Sequence, residues 1–574
     1  MESSRCHTGS AADAPRSTRH ITGWIAALGI ALAAASCATE SEPQTSGLSP
    51  RRVQGFADAV DADGGAEGVG WTICPSDFLE ECAWLPVPID RAQPDGPALP
   101  IFVSRHLAAS GAATSQLWLL QGGPGASASA WKPVVEQLLA AVLPDVDIYV
   151  LEQRGVGESA RLGCPAQEAP NSEGADEITQ NEWPACFASL LGEWGERLAS
   201  FTTTADSEDL ASLIELTREP GKKVFVYGWS YGTARALRLL QTHPDSVDGV
   251  ILDSVVSPGV QYLSEYDLQY DPVARELSAL CAEDAVCGAK LGPDPWGSLN
   301  EVAYALAAGA CPAFLHRTQI PAYASLLLEH PLLRTHLFPL AYRLARCEPG
   351  DVAVVEHYLS ALDDALEVHT NVVRPSPVLQ LHISLSELWR DPPPSQAELE
   401  ERCASVTFCP EVSVGLGGFY DIWPRYPRDQ YADQWPTTTT PILAMNGTLD
   451  PQTPIEKAQV VATRLTAPNQ TFVGVPLSPH GVLLNSAVNT PGAPPCGAQM
   501  LSGFIGDPTA PPNTECLSDL APLSFGADLA TTLRFFGTTD MWENTLGAAP
   551  AGARATPARP RSLRPPLLPA ILPL

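Results

Sequence analysis

The chain has 574 residues, 45% of them hydrophobic and 17% charged, which suits a catalytic domain with a large insertion, or two domains, rather than one core of ordinary size. Its 65 acidic residues against 34 basic ones leave a formal net charge of −31, which repels polyphosphate backbones and anionic lipid surfaces, so nucleic acid is excluded as an expected partner. Fifty-five prolines and 44 glycines imply long, stiff loops between the elements.

At the N-terminus, Arg16 and Arg19 precede an uncharged run from Ile21 to Ala35, the layout of an export signal. The run ends in Ala34-Ala35-Ser36-Cys37, which resembles the lipobox of bacterial lipoproteins and makes Cys37 the candidate lipid anchor. Residues 1–36 are then a lipoprotein-type signal peptide and 37–69, rich in Ser, Glu, Pro, Asp and Gly, a flexible tether. An ordinary cleaved signal and an uncleaved N-terminal span are the alternatives, although the run is short for ~30 Å of hydrocarbon. The expected place is the bacterial cell envelope, lipid-anchored or secreted on its periplasmic or extracellular side, with membrane contact only through the anchor.

Early strands are expected between Trp84 and Val103. Gln116 to Leu120 (QLWLL) reads as a buried strand that stops at Gln121-Gly122-Gly123-Pro124-Gly125, and a helix follows from Trp131 to Val142. Asp147 to Leu151 (DIYVL) is a second buried strand, leading into Gln153-Arg154-Gly155-Val156-Gly157-Glu158-Ser159. A helix from Thr204 to Leu216, with Thr204 or Asp206 as its N-cap, precedes a third strand, Lys223 to Tyr227. That strand enters Gly228-Trp229-Ser230-Tyr231-Gly232 and a helix, and Val247 to Leu252 is a fourth strand. Strands alternating with helices predict a mostly parallel, doubly wound sheet.

From Pro258 to Thr440 the period turns helical, with helices expected around Pro272 to Cys281, Pro321 to Glu329, Val352 to Leu366 and Val378 to Trp389; this insert reads as a cap. Strand character returns at Pro441 to Met445, then a turn with Asp450, a helix from Pro454 to Leu465, and a strand at Thr471 to Val475 leading to His480. Ala527 to Phe535 is a closing helix, and the tail from 549 to 574 has the composition of a disordered segment. The domains expected are thus a core in two parts, 70–257 and 441–548, around a cap at 258–440.

Of 14 cysteines, setting aside Cys6 and Cys37 leaves an even twelve, which in an exported chain predicts disulfides. Sequence order suggests Cys74 with Cys82, Cys164 with Cys186, Cys281 with Cys287, Cys311 with Cys347, Cys403 with Cys409 and Cys496 with Cys516, although order alone leaves the connectivity open. Neither a CxxC pair nor HExxH occurs, so no metal site is expected.

Gly228-x-Ser230-x-Gly232 between a strand and a helix has the form of a nucleophile elbow, in which glycines permit the tight turn that lifts a serine hydroxyl above the sheet. A serine nucleophile needs a base, and the base a carboxylate to hold its tautomer. Asp450 and His480 follow in the order Ser, Asp, His and lie after late strands. Asp253, at the end of the strand after the elbow, is the rival acid, with a strand-end cap as its alternative role. The backbone N–H groups of Gly123, in the glycine-rich loop, and Tyr231, directly after the serine, are the candidate oxyanion donors. Such chemistry needs no cofactor.

Together, Gln121-Gly-Gly-Pro-Gly, Gln153-Arg-Gly-Val-Gly-Glu-Ser, Gly228-Trp-Ser-Tyr-Gly-Thr, Leu252-Asp-Ser-Val-Val, Asp450 and His480 resemble the proline iminopeptidase and tripeptidyl aminopeptidase group of α/β hydrolases, over roughly Trp71 to Cys516. The early cysteine segment and the late extension look more like the exported tripeptidyl aminopeptidases. Two positions depart from the pattern: family members commonly have His or Asn where Gln121 stands and Asp where Glu152 stands. The resemblance implies a serine exopeptidase that acts on short peptides with a free N-terminus through an acyl-enzyme. A carboxylesterase or lipase with the same triad is the first rival, and an inactive surface-binding lipoprotein the second.

Overall fold

Nine strands build one sheet in the order β1-β2-β3-β5-β4-β6-β7-β8-β9. They are β1 (Thr72–Ile73), β2 (Glu81–Pro88), β3 (Ala98–His106), β4 (Ser115–Leu120), β5 (Val146–Leu151), β6 (Lys223–Trp229), β7 (Gly249–Asp253), β8 (Ile442–Gly447) and β9 (Gln470–Val475). The computed structural model describes residues 69–546 apart from 76–77, 175–177, 312–319, 371–374 and 527. Cys37, nearly all of the tether and the tail from 549 lie outside the described residues. Those described fall within one unit, Arg51–Leu574.

Pairing is antiparallel from β1 through β3 to β5 and parallel from β5 across to β9. The central strands are continuous apolar runs because both faces are covered. Trp118, Leu120, Val224 and Val226 enter one core layer, and their alternates Leu117, Leu119, Phe225 and Tyr227 enter the other. Register aligns the strand ends: Leu120 stands opposite Leu151 and Gly228, and Asp253 opposite Trp229 and Met445. The loops carrying the candidate residues therefore emerge along one edge, where open α/β sheets place their sites.

Helix Thr203–Thr217 is capped by Thr202, whose Oγ1 accepts the Ala205 N–H at 3.0 Å, rather than by Thr204 or Asp206. Asp206 lies inside the helix because its carboxylate is taken by buried Arg235, on helix Tyr231–Thr242. The helix expected at 131–142 passes through one π turn, Val135–Leu139, and that expected at 454–465 breaks into Ile455–Ala458 and Val461–Arg464. Between β7 and β8 the chain is helical, and helices such as Pro295–Ala307, Leu337–Arg346 and Gln396–Ala404 add to those expected. No described helix is long and apolar enough to cross a membrane. Six disulfides join Cys74 to Cys82, Cys164 to Cys186, Cys281 to Cys287, Cys311 to Cys347, Cys403 to Cys409 and Cys496 to Cys516.

Arg154, at the turn after β5, clamps Asp209 out of solvent with two bonds of 2.7 Å and donates to the carbonyls of Ile89 and Ser200. A buried pair of this kind contributes little net attraction, yet removing one partner strands the other. Arg154→Met is expected to lower stability by about 3–5 kcal/mol in equilibrium urea unfolding. A loss below about 1 kcal/mol would show that Asp209 finds water or Arg91 as a sufficient substitute.

Candidate active site

Ser230 begins helix Tyr231–Thr242 with φ 57° and ψ −125°, a strained conformation that a non-glycine residue keeps only when its surroundings impose it. They do so on both sides. A Cβ on Gly228 would lie 2.3 Å from the Gly232 carbonyl oxygen, and one on Gly232 would lie 2.3 Å from that of Leu120. The Ser230 N–H donates to the Asp253 carbonyl at 2.9 Å, and the Ser230 carbonyl accepts from Thr233 Oγ1 at 2.6 Å. The elbow is thus fixed by β7 below and by its own helix above.

Asp450, in the turn after β8, is fully buried. Its carboxylate accepts the N–H groups of Gln452 and Thr453 at 2.8 and 2.9 Å and the Thr453 hydroxyl at 2.6 Å. His480 follows β9, and its Nδ1 lies 2.8 Å from Asp450 Oδ2. This arrangement puts the proton on Nδ1, leaving Nε2 as the basic nitrogen. Nε2 is buried and has no partner among the described residues. Burial pulls the imidazole pKa down, but the charge and hydrogen bond of Asp450, helped by the charges of Asp253 and Glu329, more than offset it and hold the pKa above its ordinary value.

Asp253 does not bond the imidazole. Its two oxygens accept the Val482 and Leu483 N–H groups at 2.8 and 2.7 Å, and Tyr227 donates to it at 2.7 Å. Its neighbour Ser254 accepts the Gly481 N–H at 2.8 Å. Residues 253–254 therefore hold the backbone just beyond His480, while the Asp253 carbonyl holds Ser230. This link between Ser230 and His480 is invisible in sequence, where strand-end Asp253 reads as a rival acid.

In the glycine-rich loop, Gly122 approaches the serine so closely that an added Cβ would lie 2.8 Å from the Ser230 Cβ. Gly123 has φ 110° and precedes a cis peptide to Pro124. The N–H groups of Gly123 and Tyr231, the expected oxyanion donors, enter no loop or cap hydrogen bond among the described residues. The two departures from the family pattern have structural roles. Gln121 accepts the Gly122 N–H through its side chain and, through its carbonyl, a bond from Arg235. Glu152 ties the two loops together by accepting from Ser127 Oγ, Ala128 N–H and Glu158 N–H.

Sequence reasoning did not single out Glu329, the last residue of helix Ile320–Glu329. Tyr270 donates to its carboxylate, the Tyr266 hydroxyl lies 3.5 Å from it, and the two tyrosine hydroxyls are 2.9 Å apart. The residue keeps part of its surface open, yet its carboxyl group is enclosed enough that burial raises its pKa to about 7. The charges of His480 and Asp450 act on it as well. No Lys or Arg pairs with it among the described residues. Its only sequence signal was a carboxylate closing an apolar helix turn, Leu326-Leu327-Leu328. Asp267, Cys403 and Cys409 also meet, but the two cysteines are bonded to each other and offer no thiolate to a metal.

Strand order, an elbow after β6, a buried acid after β8 and a histidine after β9 decide the fold. The chain has the α/β-hydrolase fold. A family model described as "alpha/beta hydrolase fold" matches residues 117–275 of it. The chain is 29% identical over 229 residues to the tripeptidyl aminopeptidase of Streptomyces lividans, an alignment covering 36% of this chain and 42% of that one. The tripeptidyl aminopeptidase of Streptomyces coelicolor gives the same identity, with 41% of its length covered. The chain thus spans about two fifths of the length of the curated relatives it matches. Among solved structures, a proline iminopeptidase of Mycobacterium smegmatis aligns at 13% identity with a TM-score of 0.37, covering 74% of this chain and 99% of that one. An esterase from Exiguobacterium antarcticum aligns at 14% and 0.28, covering 68% and 91%.

Proposed function

We propose that this hydrolase is an exported serine exopeptidase of aminopeptidase type, cleaving short peptides near a free N-terminus through an acyl-enzyme on Ser230. His480 takes the serine proton and returns it to the leaving amine, and Asp450 holds the imidazole and stabilises its cation. The N–H groups of Gly123 and Tyr231 receive the oxyanion. Export accords with six disulfides, which persist in oxidising compartments; lipidation of Cys37 is part of the proposal.

The observation that carries the peptidase reading is Glu329: an enclosed carboxylate, unpaired with any basic side chain among the described residues, whose charge is felt by His480. It comes from the helical insert, in the place of a cap, where a protonated α-amine would supply the missing cation. Enclosure by a cap also limits how far substrate extends past the scissile bond. An esterase using the same triad would have no need of Glu329, and an inactive binding protein no need of the triad.

The test is kcat/KM for matched free and N-acetylated peptide amides, with a p-nitrophenyl ester as control. Equal rates on the two peptides, or turnover of the ester alone, favour the esterase. Glu329→Gln is expected to reduce the preference for the free amine by roughly tenfold, since a charge-assisted pair becomes a neutral contact. The preference is also expected to depend on pH. Glu329 gains its charge as pH rises through about 7, and the substrate amine loses its own above roughly 8. The ratio of rates on free over acetylated peptide should peak between those values and flatten in Glu329→Gln.

A further inference from the structure

Arg334 lies five residues past Glu329, in the 3₁₀ turn Arg334–His336 that leads into helix Leu337–Arg346. It is 5% exposed, and one bond is formed, from Nη2 to the Leu477 carbonyl at 2.6 Å. Nε and Nη1 are buried with no partner. No carboxylate pairs with it among the described residues, and burial alone pulls its pKa down to about 10. The other buried arginines among the described residues are satisfied: Arg154 by Asp209, Arg235 by Asp206, Arg238 by Glu387 and Arg343 by Asp351. A guanidinium sunk into protein without an anion is costly, and its planar fork suits a carboxylate.

Its position gives that cost a use. The one carbonyl it binds belongs to the loop Leu477-Ser478-Pro479-His480, so Arg334 stands where the helical insert meets the loop carrying the base. Exposed residues lie close by on both segments: Leu332, two residues before Arg334, is 61% exposed, and Pro476, next to Leu477, is exposed. Neither Glu329 nor Asp450 forms an ion pair with the guanidinium. The unpaired Nε and Nη1 are thus distinct from the carboxylate proposed to bind the amine, five residues earlier in the chain.

We propose that Arg334 is a carboxylate-recognition site for the peptide substrate, binding either its C-terminal carboxylate or an acidic side chain. This rests on the peptidase reading above and narrows it to peptides carrying a carboxylate within a few residues of the scissile bond. A short peptide would then be held at both charged ends, its ammonium by Glu329 and its carboxylate by Arg334, whereas a long polypeptide would not.

The test compares kcat/KM for unblocked peptides of three to six residues as free acids and as C-terminal amides, and for amides with Glu or Gln in the leaving portion. Wild type is expected to favour a carboxylate by ten- to a hundredfold, the range of a desolvated charge-assisted pair, and Arg334→Met to abolish that preference while still cleaving amides. Preference for the acid over the amide identifies the terminal carboxylate; preference for Glu over Gln identifies the side chain. Equal wild-type rates on all pairs overturn the proposal, and this comparison decides even if Arg334→Met does not fold. A loss in Arg334→Met that is equal for acid and amide also overturns it, because Arg334 would then only latch the Leu477 loop. Failure of the peptidase reading looks different: wild type turns over none of the peptides. Calorimetric Kd values for the acid and amide with Ser230→Ala then decide, equal affinities overturning the site.

Discussion

Ser230→Ala is expected to lower kcat on any peptide or ester substrate by roughly 10⁵- to 10⁶-fold, the scale on which loss of a nucleophile removes the work of a whole triad. The fold should be indifferent to the change. Ser230 Oγ supports no other group among the described residues, and the strained backbone at φ 57° is imposed by Gly228, Gly232 and the Asp253 carbonyl rather than by the hydroxyl. Equal urea midpoints for wild type and variant, beside lost turnover, are the expected pair of results. A residual rate within about a hundredfold of wild type would mean that another group attacks the substrate.

The second large effect separates the two buried carboxylates. Asp450→Asn is expected to cost about 10³- to 10⁴-fold in kcat, because an amide at this position no longer fixes the Nδ1–H tautomer or stabilises the imidazolium. Asp253→Asn should cost far less, roughly tenfold, through a slackened backbone after His480. The pH profile distinguishes the two roles further. His480 must be neutral to act as base, so activity rises as pH passes upward through its pKa. The negative charge of Asp253 raises that pKa; removing it should move the acid limb of kcat/KM to lower pH. An unmoved limb would reduce Asp253 to a backbone tie alone, and a crippling Asp253→Asn beside a mild Asp450→Asn would exchange the two assignments.

Much of this site is legible in sequence because its parts are short strand-to-loop junctions that tolerate few residues. Glycines at 122, 228 and 232 stand where backbone or the serine Cβ comes within 3 Å of a missing side chain, and such sites are marked in a sequence by glycine after an apolar run. The central strands show as unbroken apolar segments because helices cover both faces. Other features depend on contacts across long separations. Asp206 looks like a helix cap until Arg235, 29 residues on, is seen to claim it. Asp253 reaches residues 229 and 230 positions later. Glu329 and Arg334 sit among apolar helices, where periodicity distinguishes a lining residue from a core one poorly. A carboxylate after three leucines is the one local signal at Glu329, and Arg334 has none.

The central claim is that one serine, Ser230, forms a covalent intermediate with substrates bearing a free N-terminus. The most direct test is to label the oxidatively folded protein with a fluorophosphonate and map the adduct by peptide mass spectrometry while following hydrolysis of an unblocked tripeptide amide. The expected result is one adduct, on Ser230, with activity lost in proportion to labelling and both absent in His480→Ala. An adduct elsewhere, or tripeptide turnover that persists in fully labelled protein, would contradict the account.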